Sequence, residues 1–112
     1  MIKVNNLTTY FLSNNNKTYL LRDICFSLND GDSLGIIGKC GDGKSMLAKS
    51  LLQIYDNDVY KEKGNIYINN ELFNDSFRGK KISLIFQNPN TFLNPLMKVG
   101  KQIDEILRYH HY

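Results

Sequence analysis

Residues 38–45 read Gly-Lys-Cys-Gly-Asp-Gly-Lys-Ser, and this stretch decides the fold of the chain. It matches the phosphate-binding loop pattern G-x-x-x-x-G-K-[ST] at every fixed position. The apolar residues 33–37 before it predict a short buried strand, and residues 46–52 after it predict a helix. A strand, a glycine-rich loop and a helix in that order form the setting in which such a loop binds nucleotide phosphates. The complete match favours this interpretation over a glycine-rich turn without a ligand.

The residue types in the loop suit a nucleotide and its magnesium ion. Gly38, Gly41 and Gly43 allow backbone angles that turn successive N–H groups toward a phosphate, and the helix N-terminus that follows adds partial positive charge. Lys44 is predicted to reach the β and γ phosphates with its ammonium group. The Ser45 hydroxyl is placed to bind Mg²⁺. The loop therefore predicts a nucleotide-phosphate site.

Length, charge and hydropathy exclude several classes of protein. At 112 residues and 42% hydrophobic content, the chain forms one domain at most. The net charge of +3 is spread along the chain, so we expect no nucleic-acid partner. No apolar run approaches the roughly 20 residues that span a bilayer, and residues 1–6 lack the apolar core of a signal peptide. We therefore expect a cytosolic or cytosol-facing protein.

The hydrophobic pattern predicts further strands at residues 1–7, 19–28, 64–70 and 81–86, and a helix with one apolar face from Val99. The first three strands alternate apolar and polar residues, which is typical of a small antiparallel sheet. Residues 81–86 are apolar enough for a buried parallel strand, which Pro89 would end. The predicted fold class is α/β, with part of a P-loop NTPase core beside a small antiparallel β subdomain.

Two stretches of the chain resemble the ATPases of ATP-binding-cassette (ABC) transporters. One is residues 32–38, which lead into the loop, and the other is residues 85–103. The second contains Gln-Asn-Pro, then Leu-Asn-Pro, then Val-Gly-Lys-Gln-Ile, and is similar to the branch serving oligopeptide, dipeptide and nickel importers. The resemblance covers the whole chain, residues 1–112, but only the N-terminal part of the family's ATP-binding domain.

The resemblance implies roles for particular residues. It implies that Lys44 binds the phosphates of ATP and that Ser45 binds its Mg²⁺. Gln87 resembles the Q-loop glutamine that touches magnesium and the attacking water. An aromatic residue after the first strand usually stacks on the adenine in this family; Phe11 fits that place best and Tyr10 is the runner-up. The implied partners are transmembrane permease subunits and a second ATPase subunit. The implied location is peripheral, on the cytoplasmic face of the inner (plasma) membrane.

The chain departs from the family's pattern in two ways. Cys40 and Asp42 replace serines of the usual loop, and we expect the Asp42 charge to weaken nucleotide affinity. Nothing in the chain resembles the Leu-Ser-Gly-Gly-Gln signature, the Walker B strand ending in Asp-Glu, or the switch histidine. We therefore expect a truncated subunit with no catalytic residue of its own, which binds ATP.

Three hypotheses about function follow. The first is the nucleotide-binding part of a peptide or nickel importer ATPase, whose full-length parent couples ATP hydrolysis to transport. The second is a non-catalytic ATP-binding fragment that works as it stands, and the third is a P-loop ATPase of DNA repair. The sequence leaves peptide and nickel open as the cargo.

Overall fold

The computed structural model describes all 112 residues. The elements in chain order are β1 (Ile2–Ser13), β2 (Asn16–Leu28), α1 (Lys44–Leu51), β3 (Val59–Ile68), β4 (Glu71–Leu72) and α2 (Val99–Tyr109). Short 3-10 turns lie at Asp75–Phe77 and Pro89–Thr91. The predicted α/β class and both predicted helices are confirmed. Neither helix has the length and apolar character needed to cross a membrane.

The four strands form one antiparallel sheet in the order β2-β1-β3-β4. The predicted antiparallel sheet is therefore confirmed, although β1 continues past residue 7 to Ser13 and β3 already begins at Val59. β1 and β2 form a hairpin whose turn residues, Asn14 and Asn15, have φ values of 47° and 61°. Two successive positive φ angles suit the right-handed twist of a hairpin, and asparagine tolerates them better than most residues.

A β-bulge explains how β1 faces the core. Val4 and Leu7 are both buried although they are three residues apart, and a regular strand would place them on opposite faces. The pairing register shifts between them, and Asn6 has a φ of 50°. Opposite this bulge stands Gly64, with a φ of 113°, where a Cβ would lie 2.5 Å from the Leu7 Cα. The close approach requires a glycine at position 64.

The core joins the sheet to α1 and to the segment after β4. It consists of Val4, Leu7, Leu21, Leu47, Ile66, Ile68, Phe73 and Phe77. Arg78 attaches the far end of α1, because its Nε donates to the Leu52 carbonyl at 2.6 Å and its Nη2 donates to the Gln53 carbonyl at 3.1 Å. A cation beside the last carbonyls of a helix also interacts favourably with the helix dipole. α1 is thereby fixed at its C-terminal end.

The two predicted strands of the parallel core are not formed. Residues 33–37 pair with no strand, and Ile37 is 98% exposed. In residues 81–86 the only pairing is an isolated bridge between Arg78 and Ile82, and Ile85 is 92% exposed. A parallel strand is stable only when neighbours complete its hydrogen bonds and cover both faces, and neither segment pairs with an edge strand of the sheet. The strand predictions at 33–37 and 81–86 were therefore wrong for this chain.

Candidate phosphate-binding site

The phosphate loop, residues 38–45, is attached to the sheet at its last glycine. Gly43 is the N-cap of α1 with a φ of 91°, and a Cβ there would lie 3.0 Å from the Leu20 carbonyl oxygen of β2. Gly41 has a φ of 90°. Side chains rarely adopt such angles, so glycine is required at both positions. The loop therefore leaves the sheet region at a fixed point.

Several amides of this loop have no partner within the protein. The N–H groups of Gly41, Gly43, Lys44 and Ser45 donate no hydrogen bond, and the first helical bond runs from the Leu47 amide to the Gly43 carbonyl at 2.8 Å. The first turn of α1 contains no acidic residue. Free amides at a helix N-terminus attract anions because the helix dipole adds to their partial charges. The arrangement fits a phosphate group.

Lys44 adds a full positive charge to this loop. Its Nζ donates to the Gly38 carbonyl at 2.8 Å and to the Lys39 carbonyl at 2.5 Å. An ammonium group has three N–H donors, so one donor is left for a ligand. The neighbouring Ser45 is exposed and its hydroxyl makes no hydrogen bond, which leaves the oxygen available to a magnesium ion.

The sheet separates the two candidates for adenine stacking. Tyr10 lies in an aromatic cluster, stacked on Tyr60 at a centroid distance of 5.7 Å and edge-on to Tyr19 at 6.3 Å. Phe11 is the next residue of β1, so it points to the opposite face, the face of buried Thr9. Thr9 pairs with Leu21, whose Cδ2 would lie 3.3 Å from a Cβ on Gly43. Phe11 thus shares its face with the phosphate loop, whereas Tyr10 does not.

Gln87 lies apart from this geometry. It is exposed, it belongs to a stretch without regular structure, and no hydrogen bond joins it to the phosphate loop. The chain contains no cluster of three or more histidine, cysteine, aspartate or glutamate side chains that could hold a metal by itself. Ser45 and Gln87 therefore remain predicted, separate contributors to a Mg²⁺ that would arrive with the nucleotide.

Two contacts that hold α1 and the phosphate loop were not predicted from the sequence. The first is the Arg78 contact with the end of α1, which no sequence signal indicates because 26 residues separate Arg78 from Leu52. The second is a hydrogen bond from the Lys39 amide to the Asp42 carboxylate, at 2.7 Å. The sequence revealed the unusual charge of Asp42 but not the group that holds it.

Comparison with known proteins identifies the family. The sequence profile described as "ABC transporter" matches residues 21–110. The chain belongs to the ABC transporter family. This match includes the phosphate loop and the segment around Gln87, and it confirms the resemblance found in the sequence.

The relatives of this ABC transporter chain are named for peptide transport. It is 36% identical to the oligopeptide transport ATP-binding protein OppD of Haemophilus influenzae over 98% of its length. It is 41% identical to OppD of Lactococcus lactis over 79% of its length, which is 28% of that relative. A putative peptide import ATP-binding protein of Brucella melitensis is 34% identical over 99% of the chain. The chain spans 36% of the length of the Haemophilus and Brucella proteins.

Proposed function

We propose that this chain binds Mg-ATP through residues 38–45, as the nucleotide-binding part of an ABC importer ATPase. The observation that carries the proposal is the set of unpartnered loop amides beside Lys44, which keeps one N–H donor free. The amides and the cation together suit an anion better than either does alone, and in this loop they lie within two glycine residues of each other in the sequence motif. Bound ATP supplies the phosphoryl groups, and the chain's own residues hold and orient them.

Each predicted site residue has a task in this proposal. The amides of Gly41 and Gly43 and the Lys44 ammonium bind phosphate oxygens, while Gly38 leaves room for the loop to close on itself. The Ser45 hydroxyl binds Mg²⁺, and Phe11 stacks on adenine from the sheet face that it shares with the loop. Gln87 contributes to the magnesium site when its segment lies against the nucleotide.

The wider setting of the proposal rests on the relatives. Those cited above are oligopeptide transport or putative peptide import proteins, so we propose peptides rather than nickel as the cargo of the whole protein. In that protein, residues 1–112 form the N-terminal part of the ATP-binding domain, which works with transmembrane permease subunits and a second ATPase subunit. Its place is peripheral, on the cytoplasmic face of the membrane. The DNA-repair alternative receives no support from these names.

We further propose that residues 1–112 alone bind ATP without hydrolysing it. Hydrolysis needs a carboxylate to orient water and a second one to support magnesium, and no apolar strand of this chain ends in such a pair. Phosphate release measured with Mg-ATP should stay at background. A turnover near 1 per second that Lys44→Ala abolishes would contradict this part of the proposal.

Titration calorimetry with Mg-ATP tests the binding itself. The wild-type chain should bind, and Lys44→Ala should lose detectable binding, because it removes the positive charge placed against the phosphates. Lys101→Ala is the matched control, since Lys101 is an exposed lysine of α2 that forms no ion pair. Equal binding by the wild type and Lys44→Ala, or no binding by a folded wild type, would refute the proposal.

The stacking role of Phe11 can be tested by comparing ATP with a ligand that has no base. Phe11→Ala should weaken Mg-ATP binding by about 1 to 3 kcal/mol, the usual worth of stacking, and should spare Mg-tripolyphosphate. Tyr10→Ala is the matched control because Tyr10 lies on the opposite face of the sheet. Equal losses for the two ligands would show that Phe11 only supports the structure.

A further inference from the structure

The Asp42 carboxylate is already bound inside the phosphate loop. Its Oδ2 accepts a hydrogen bond from the Lys39 amide at 2.7 Å, and a Cβ on Gly38 would lie 3.0 Å from the same oxygen. The Asp42 amide also donates to the Lys39 carbonyl at 3.2 Å. A negative group thus lies on the backbone of a loop whose remaining amides suit a phosphate.

The Asp42 carboxylate forms no ion pair. The Lys44 ammonium donates to the Gly38 and Lys39 carbonyls and not to Asp42. Asp42 stands between Gly41 and Gly43, whose free amides are proposed to bind phosphate. A phosphate on those amides would therefore lie beside an uncompensated carboxylate, and like charges at such short range repel each other.

We infer that Asp42 is a resident anion of the phosphate loop, which competes with the phosphates of the nucleotide and lowers the affinity of the site. The inference rests on the proposed function and adds to it a residue that sets the affinity of the phosphate site. Since the competition concerns phosphate oxygens, it lowers affinity for ATP and for an inorganic polyphosphate alike. It also makes binding dependent on Mg²⁺, because the cation neutralises part of the ligand's charge.

Asp42→Asn is the decisive variant, because asparagine keeps the shape and an acceptor oxygen while it removes the charge. We expect it to bind Mg-ATP and Mg-tripolyphosphate about three- to thirtyfold more tightly than the wild type, the range given by one exposed charge at close approach. The factor should be similar for the two ligands and should shrink as KCl is raised. Asp58→Asn is the matched control, since it makes the same chemical change at an exposed turn outside the loop.

The hydrogen bond itself can be tested without a ligand. Amide exchange at Lys39 should be slowed in the wild type and should quicken in Asp42→Ala. The Asn29 amide provides an internal reference, because it donates to Asp32 Oδ2 at 2.9 Å with the same sequence spacing. Its exchange should not change.

Each outcome of these measurements decides something. Tighter binding of both ligands by Asp42→Asn, with Asp58→Asn unchanged, supports the inference. The inference would be overturned if Asp42→Asn left the affinity unchanged, if it tightened binding of ATP only, or if Asp58→Asn gave the same gain. It would also be overturned if the exchange rate of the Lys39 amide were the same in Asp42→Ala as in the wild type. If a folded wild type and Asp42→Asn both fail to bind either ligand, the proposed function has failed and the inference falls with it.

Discussion

Two regions of this chain have similarly apolar sequences, but only one of them forms paired strands. The sheet region, residues 2–28 and 59–72, pairs its strands with one another and buries one face. The unpaired segments, residues 33–37 and 83–86, are as apolar but have no strand partners, and their Ile37 and Ile85 side chains lie in solvent. The difference teaches that an apolar pattern specifies a strand only where the same chain supplies its neighbours.

The physical reason is the backbone. An extended segment carries N–H and C=O groups that must find partners, and antiparallel neighbours joined by short turns supply them locally. A parallel strand needs partners brought by long crossovers, so its formation depends on other parts of a domain. The phosphate loop lies between the two regions, because a Cβ on Gly43 would meet Leu20 and Leu21 of β2 while residues 33–37 before it pair with no strand.

The largest contrast should come from side-chain truncation. Leu7→Ala should cost about 2 to 5 kcal/mol of unfolding free energy, because Leu7 is 0% exposed at the centre of the core. Ile37→Ala should stay within about 0.5 kcal/mol, because its side chain already lies in solvent. Urea unfolding followed by circular dichroism measures both. A large cost at Ile37 would mean that the unpaired segments are buried after all.

A pair of glycines should sharpen the same comparison. Gly64→Ala should cost roughly 1 to 3 kcal/mol or more, because the new Cβ meets the Leu7 backbone at a strained positive φ. Gly35→Ala should have almost no effect, since a Cβ there meets nothing within 4 Å. Urea unfolding measures the change in stability for both variants. Equal tolerance at the two positions would contradict the bulge that places Val4 and Leu7 in one core.

Much of the sheet region could be predicted because its signals are local. Alternating residues between 19 and 28 and the asparagine-rich turn before them indicate a hairpin without further information. The extension of β1 to Ser13 was missed, because the bulge at Asn6 breaks the alternation of that strand. The unpaired segments were misassigned since their pattern describes a parallel strand whose neighbours this chain does not provide.

In the candidate site, too, some residues can be predicted from local sequence and others depend on the three-dimensional structure. The loop motif names Lys44 and Ser45 from sequence alone, because their spacing from the glycines is set by the backbone geometry that phosphate binding requires. The sequence favours Phe11 over Tyr10 for adenine stacking, and the sheet adds the face on which each residue lies, while the stacking role itself stays a prediction. Gln87 lies in a stretch without regular structure, so its role stays a prediction.

The smallest effect concerns an exposed ion pair of the sheet region, between Lys17 and Glu62. A hydrogen bond from Lys17, at 3.0 Å, is the main cause that lowers the pKa of the Glu62 carboxyl from its ordinary value of 4.5. A lowered pKa in the folded state means that the stabilisation is complete above about pH 4.5 and is lost as the pH falls through the folded pKa. Glu62→Gln should therefore melt slightly below the wild type at pH 7 and together with it at pH 2.5.

The control for this prediction is a glutamate without a partner. Glu105→Gln changes an exposed residue of α2 that forms no ion pair, so its melting temperature should follow the wild type at both pH values. The effect of Glu62→Gln is small because the pair is exposed to solvent and screened by salt. A difference that persists at low pH would assign it to lost packing and not to charge.

Residue-resolved amide exchange of the monomeric chain, with and without Mg-ATP, tests the central claim most directly. Without ligand, the central amides of β1 and β3 should be protected, whereas residues 33–37 and 83–86 should exchange almost as fast as an unfolded chain. With Mg-ATP, protection should appear at Gly41, Gly43, Lys44 and Ser45, and it should be absent in Lys44→Ala. Strong protection of the unpaired segments without ligand, or loop amides that Mg-ATP leaves unchanged, would contradict the account.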